Sequence, residues 1–289
     1  MSSTSEKSNP TDTFRARMRE QQELLRYRMK HVTHKLAVIS GKGGVGKSTV
    51  TVNLATAFAL HGKHVGILDA DIHGPSVPRL LGLTGQQVKV GPPGAFPVTG
   101  PLGMKVVSID FFLPEEKTPT IWRGPLKMTA IRQFLSDVVW GELDVLFIDL
   151  PPGTGDEPLS VAQLLPDIDG VIIVTMPSEL SRAVVKKAIT FAERLGLPIV
   201  GVVENMSGYV CPNCGEKIDI FRSGGGKKMA EETGVSFLGS IPIDPKIGVD
   251  SDKGVPFVMA HSDSLGAKAF VEIVKKVEVY LKEKEHTKT

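Results

Sequence analysis

The sequence predicts an α/β protein built on a mostly parallel, twisted sheet with helices on both faces. Two observations carry that expectation. Short, wholly apolar runs recur along the chain with helical segments between them, the pattern of strands buried on both faces. Several of these runs stop at a polar residue or a glycine turn, which is where an open parallel sheet presents its ligand-binding edge.

In chain order, residues 1–12 are rich in Ser, Thr, Lys and Glu and are expected to form a disordered tail. Thr13 to Lys30 lacks Pro and Gly. Phe14, Met18, Leu25 and Met29 mark an apolar stripe among arginines, so residues 13–34 read as a helical extension. It either lies on the protein surface or a partner subunit, or is simply solvated. The main domain is expected over 35–285. Leu36-Ala37-Val38-Ile39 is its first strand, and Val50 to Leu60 the following helix, with Val52, Leu54, Ala55, Phe58 and Ala59 as buried positions. His64 to Leu68 is the second strand, ending in Asp69-Ala70-Asp71. Gly82 to Gly103, crowded with Gly and Pro, reads as loops with an edge hairpin. Met104–Ile109, Val145–Ile148, Val171–Thr175, Ile199–Val203 and Phe237–Ile241 are the remaining strands. Helices are expected over Leu126–Val139, Ser181–Leu195 and up to Glu232. A final amphipathic helix carries Phe270, Ile273, Val274, Val277 and Leu281.

Gly41-Lys42-Gly43-Gly44-Val45-Gly46-Lys47-Ser48-Thr49 reads G-x-x-x-x-G-K-S, the phosphate-binding loop of nucleoside triphosphatases. It stands between a strand and a helix, as the motif requires, so a single P-loop NTPase domain is expected. Glycines bring backbone N–H groups close to phosphate oxygens, and the helix start adds positive potential. Lys47 is expected to reach the β- and γ-phosphates of ATP, and the Ser48 hydroxyl to ligate Mg²⁺. Asp149 closes an apolar strand and opens Asp149-Leu150-Pro151-Pro152-Gly153-Thr154-Gly155-Asp156; its carboxylate can hold Mg²⁺ through a water. The Gly153 N–H is placed to sense a γ-phosphate in a loop that orders with ATP.

Cys211-Pro212-Asn213-Cys214, within an insertion near 205–222, sets two sulfurs where they can grip one metal or one edge of a cluster. The two cysteines are the whole complement of the 289 residues, and no histidine lies within about 40 positions. Metal binding would therefore leave two ligand places for a two-fold related subunit to fill. A thiol redox pair and two inert cysteines are the alternatives; a thioredoxin-like setting is absent.

Bulk composition excludes other classes. Net charge is +2 and 41% of residues are hydrophobic, so nothing demands a nucleic-acid partner. No apolar run approaches the roughly 18 residues of a membrane helix, and no signal peptide is visible, which makes a cytoplasmic location the expectation.

Lys42, beside the first glycine, makes the loop resemble the deviant form of the MinD/ParA/nitrogenase-iron-protein class. That resemblance implies a homodimer in which Lys42 reaches the partner's nucleotide and Asp71 positions the attacking water, leaving Asp69 structural. It also implies that Asn205, in Glu204-Asn205-Met206, reads adenine, with Pro242 and Asp244 forming the other wall of the base pocket. Taken together, the two-lysine loop, Leu68-Asp69-Ala70-Asp71-Ile72-His73-Gly74-Pro75-Ser76, the Asp149–Asp156 segment, Val203-Glu204-Asn205-Met206-Ser207 and the C-x-x-C resemble the Mrp/ApbC iron–sulfur carrier family over Lys35 to Tyr280. The resemblance implies a cytosolic ATPase holding a labile [4Fe–4S] cluster between subunits on Cys211 and Cys214, with zinc as the alternative occupant, and passing it to apo iron–sulfur proteins. Bacterial relatives often carry an extra N-terminal domain and eukaryotic ones an N-terminal four-cysteine motif. Met1 to His34 has neither, and a compact archaeal-type form is expected. The competing reading is a ParA/MinD-like positioning ATPase, which needs a membrane helix or a DNA-binding patch and has no use for the cysteines. A nitrogenase-iron-protein-like reductase would use widely separated single cysteines, and a plain metal scaffold would not need an intact ATPase site.

Overall fold

A computed structural model describes residues 10–113, 124–165, 167–211 and 213–288. The elements follow in the order α1 (Pro10–Lys30), β1 (Val32–Ile39), α2 (Lys47–Leu60), β2 (Val65–Asp69), α3 (Val77–Leu80), β3 (Lys89–Gly91), β4 (Gly94–Phe96), β5 (Val98–Thr99), β6 (Lys105–Val107), α4 (Gly124–Ser136), β7 (Leu143–Asp149) and α5 (Asp156–Leu164). The second half continues with β8 (Gly170–Thr175), α6 (Glu179–Arg194), β9 (Ile199–Glu204), β10 (Tyr209–Val210), β11 (Lys217–Ile218), α7 (Gly225–Thr233), β12 (Phe237–Ser240), α8 (Pro245–Lys253), α9 (Phe257–Ala260) and α10 (Leu265–Lys288).

Eight strands form one sheet in the order β12-β9-β8-β1-β7-β2-β6-β5. Every pairing is parallel except β5 on β6, an antiparallel edge. The central strands are buried on both faces, as their unbroken apolar runs require. One face packs against α1, α4, α5, α6 and α7 through residues such as Leu25, Ile131, Phe134, Val161, Val185 and Met229. The other packs against α2, α9 and α10 through Leu54, Phe58, Phe257, Phe270 and Val277. Each such fully buried large side chain stabilises the fold by roughly 1.5–3 kcal/mol.

Several boundaries differ from expectation. The first strand begins at Val32, so residues 32–34 belong to the sheet rather than to the N-terminal extension. Val32 pairs with Leu143 and His34 with Val145, a long-range ladder that local periodicity does not reveal. Helix α1 starts at Pro10, inside the segment expected to be a disordered tail; residues 1–9 of that tail lie outside the described residues. Leu25 and Met29 of α1 are 6% and 3% exposed, so the end of this helix is part of the core rather than a solvated arm. The strand expected over Met104–Ile109 shortens to Lys105–Val107, and Ile109 enters a 3-10 turn. Helices α3, α5, α8 and α9 were not expected; each follows a loop rich in Gly, Pro or Asp that masks its period. Among the described residues no helix is long and apolar enough to cross a membrane.

Candidate functional site: a phosphate loop beside a cysteine hairpin

The carboxyl ends of β1, β7, β2 and β9 converge on one edge of the sheet, and every chemistry-bearing segment leaves from there. At the tip of β1 the chain turns through Gly44 and Gly46, both left-handed at φ +78° and +79°, before entering α2 at Lys47. A side chain is strained in that backbone. Gly46 has a second constraint, because a Cβ there would stand 2.3 Å from Asn205 Nδ2.

Asp149 is the hub. Its carboxylate is fully buried, and Oδ2 lies 2.6 Å from Lys47 Nζ and accepts the Ser48 hydroxyl at 2.5 Å. Oδ1 accepts from Thr51 Oγ1 at 2.7 Å. The ion pair and two hydroxyls satisfy a charge that burial alone would make costly. Thr51 was missed by the sequence reading. It lies one helical turn beyond Lys47 and its hydroxyl also touches the Lys47 carbonyl at 3.0 Å, so i,i+4 spacing from the loop lysine was the available signal. The hydroxyl and carboxylate oxygens of Ser48 and Asp149 form a hard-donor pair suited to Mg²⁺.

Asp69 sits beside Asp149 in the ladder between β2 and β7. It is buried and organises the loop that follows. Oδ2 accepts the backbone N–H groups of Ser76 and Val77, each at 3.1 Å, and Oδ1 that of Asp71 at 3.2 Å. Burial, then the nearby Asp149, push its carboxyl up to about 8; Lys47 and the backbone donors pull the other way. Asp71 is half-buried, accepts the Gly74 N–H at 3.2 Å, and lines the same cleft as Lys47 and Ser48. One carboxylate shapes the loop and the other faces the cleft.

The remaining expected residues occupy distinct places. Gly153 has φ +101° and its N–H donates to the Ser40 carbonyl at 2.8 Å, which ties the Asp149–Asp156 segment to the start of the phosphate loop. Asn205 lies beneath that loop and donates Nδ2 to the Val45 carbonyl at 2.9 Å. The Lys42 carbonyl accepts from Ser40 Oγ at 3.0 Å, and its side chain is half-buried. Pro242 and Asp244 line a separate apolar cavity with Tyr209, Val210 and Leu265, and Asp244 caps α8 by accepting the Lys246 N–H at 2.9 Å. Val45, Thr49 and Gly43 complete the loop, Val45 being buried and Gly43 exposed.

Cys211 and Cys214 cap the two-stranded ribbon of β10 and β11, in which Tyr209 pairs with Ile218 and Val210 with Lys217. Two backbone bonds of 2.9 Å, Cys211 N–H to Glu216 O and Gly215 N–H to Cys211 O, curl the tip. Cys211 is half-buried and Cys214 exposed. Backbone N–H groups of Cys214, then Asn213, and the Cys214 thiol hold the Cys211 thiol below its ordinary range. A lowered thiol pKa favours the thiolate that binds metal. Ile218, Ile220 and Phe221, at and just after the end of the ribbon, are 44%, 53% and 46% exposed. Among the described residues no group of three or more His, Cys, Asp or Glu converges as a complete metal site.

A parallel sheet with this loop, a buried lysine–aspartate–serine cluster and a second carboxylate in the same cleft defines a P-loop nucleoside triphosphatase. Residues 31–278 match the ParA family described as NUBPL iron-transfer P-loop NTPases, and the chain belongs to that family. An iron-sulfur cluster carrier protein of Methanocaldococcus jannaschii is 56% identical over 258 residues, covering 89% of this chain and 88% of that protein. A nucleotide-binding protein from Archaeoglobus fulgidus, solved with ADP, is 47% identical at a TM-score of 0.74, over 81% of this chain and 92% of its own. The MinD cell division protein of Aquifex aeolicus is 21% identical at a TM-score of 0.62, over 85% of this chain and 96% of that one, and shares the fold.

Proposed function

We propose that this protein is a Mg²⁺-dependent, slowly hydrolysing ATPase that carries a [4Fe–4S] cluster as cargo and delivers it to apo iron–sulfur proteins. The observation that carries the reading is the placement of a two-cysteine hairpin at the edge of the sheet that also holds the phosphate loop. The names of the archaeal relatives support the cargo, and the ADP-bound neighbour supports the nucleotide. Two thiolates per chain fall short of the four that a cubane cluster takes. A second copy of the chain supplies the others, and the exposed Ile218, Ile220 and Phe221 are suited to cover that contact. A soluble cytoplasmic homodimer follows from this reading, with neither nucleic acid nor membrane as partner.

In hydrolysis, the loop amides and Lys47 hold the phosphates, and Asp71 orients the attacking water and takes its proton. Ser48 and Asp149 would hold Mg²⁺, which supplies charge neutralisation on the β- and γ-phosphates. Gly153 now donates to Ser40 O. Turning that N–H to a γ-phosphate exchanges one hydrogen bond for another, which makes the 149–156 segment a nucleotide-sensitive switch. Asn205 takes the base, while Pro242 and Asp244, which line a separate cavity, are left out of that site. Lys42 acts on the partner's nucleotide.

Anaerobic reconstitution followed by iron and sulfide analysis tests the cargo. One [4Fe–4S] per two chains is expected, with most iron lost in either Cys211→Ser or Cys214→Ser. Unchanged iron in the double variant, or a full cluster on a proven monomer, sinks the bridging reading; zinc at one per dimer keeps the ligands and overturns the carrier role. Mixed dimers of Lys42→Ala and Asp71→Ala chains should regain partial hydrolysis, because one composite site is then intact. No recovery in verified mixed dimers refutes the shared site.

A further inference from the structure

Four consecutive residues, Glu204 to Ser207, connect the phosphate loop to the cysteine hairpin. Glu204 ends β9 with its carboxylate fully buried. Oε1 accepts the Gly224 N–H at 2.9 Å, the Ser207 hydroxyl, and at 3.5 Å the Ser240 hydroxyl; Oε2 accepts the Gly226 N–H. The segment carrying the cysteines leaves the protein body at Ser207 and returns at Gly224, so one carboxylate holds both of its roots. Gly226 is shaped to this contact, since a Cβ there would lie 3.0 Å from Glu204 Cβ and 3.1 Å from Oε2. The next residue, Asn205, is the one bonded to the Val45 carbonyl and wedged against Gly46. Met206 follows in the left-handed region at φ +58°, a strained backbone for a side chain of its size. That turn brings the Ser207 hydroxyl back to Glu204, while the Ser207 N–H donates to the Ile241 carbonyl at 2.9 Å. Glu204 does not line the phosphate cleft. Donors from the 207, 224–226 and 240 segments meet on this one side chain, so it ties three segments together rather than holding a single strand end.

We propose that Glu204 is a positioning residue that makes the presentation of Cys211 and Cys214 depend on the occupancy of the phosphate loop. A shift of the Val45 carbonyl on nucleotide binding is passed by Asn205 to the 204–207 turn, and the shared carboxylate moves both hairpin roots together. The inference rests on the nucleotide site proposed above and needs neither a metal on the cysteines nor a dimer.

The test uses reduced, full-length protein with no iron or zinc on its cysteines. Alkylation rates of Cys211 and Cys214 by iodoacetamide are followed by mass spectrometry with and without saturating Mg²⁺·ADP, and ADP affinity is measured in parallel. In the wild type, ADP should change the rates by about fivefold or more, the lower end of usual coupling between sites. Glu204→Ala should keep ADP affinity within a small factor and lose the response, with near-equal rates in both states. Glu204→Gln, which retains one acceptor oxygen and the shape, should recover part of it. Should Glu204→Ala fail to fold, Ser207→Ala releases the outgoing root alone and should weaken the response. A wild type that binds ADP with unchanged thiol rates overturns the clamp and leaves the nucleotide site standing. So does a full response in folded Glu204→Ala, or in Ser207→Ala where that variant stands in for it. A wild type that binds no ADP overturns both.

Discussion

The phosphate loop and the cysteine hairpin leave the same edge of one sheet and are built in opposite ways. Around the loop, Asp149 and Lys47 are 0% and 6% exposed, and each oxygen of the Asp149 carboxylate has a partner. The hairpin has two strands of two residues each, a half-buried and an exposed cysteine, and three large apolar side chains in the open. A site that must recognise one ligand repeatedly benefits from preorganised, dry surroundings. A site that must surrender its ligand benefits from few contacts and an accessible edge. The contrast predicts that equal-sized substitutions will act on stability at the loop and on cargo alone at the hairpin.

Lys47→Ala should have the largest effect. It removes the cation paired with Asp149 and proposed to hold the phosphates, and hydrolysis should fall on the order of 10²-fold or more, read by phosphate release, while any iron on the cysteines survives. Loss of iron in the same variant would break the contrast by making the hairpin depend on the loop lysine. Asp71→Ala should bind nucleotide normally and lose turnover by about 10²-fold or more; hydrolysis at the wild-type rate would remove Asp71 from the chemistry.

Gly46→Ala comes next, and its effect is on the fold. The new methyl group meets Asn205 in a left-handed turn, so a loss of roughly 1–3 kcal/mol in denaturant unfolding is expected. A neutral result would show that the loop gives way more easily than its contacts imply.

The Asp69 carboxyl sharpens the comparison through pH. It ionises near 3.8 in the unfolded chain and at about 8 in the fold. The folded protein thus keeps a proton that the unfolded chain has released. In nucleotide-free protein that contribution is present below the unfolded value and is lost as pH rises toward the folded one. Thermal midpoints at pH 5 and pH 8 should therefore draw closer together in Asp69→Asn than in the wild type. An identical pH slope in both would show that burial does not govern this group.

Cys214→Ser is expected to have the smallest effect on the fold. Its side chain is exposed at a ribbon tip, so stability should change by less than about 0.5 kcal/mol as iron binding collapses. A larger loss of stability would mean that the hairpin is a packed element after all.

Much of this molecule is legible in its sequence. The loop glycines, Lys47, Ser48 and Asp149 lie where apolar strands end, and local rules suffice because loop, strand and helix are contiguous in the chain. The apolar strand runs were equally plain, since both faces of a parallel sheet select the same residue types. What local pattern could not supply is pairing between distant segments. Val32 to His34 became strand through Leu143 to Val145. Leu25 and Met29 became core because helix α4 stands opposite them. Thr51 acquired its role from a carboxylate 98 residues away. The chain's own letters determined that a phosphate loop and a cysteine pair exist. Only the tertiary structure decided that one buried glutamate would sit between them, because hydrogen bonds from Ser207, Gly224, Gly226 and Ser240 converge on Glu204 only once the sheet has brought those segments together.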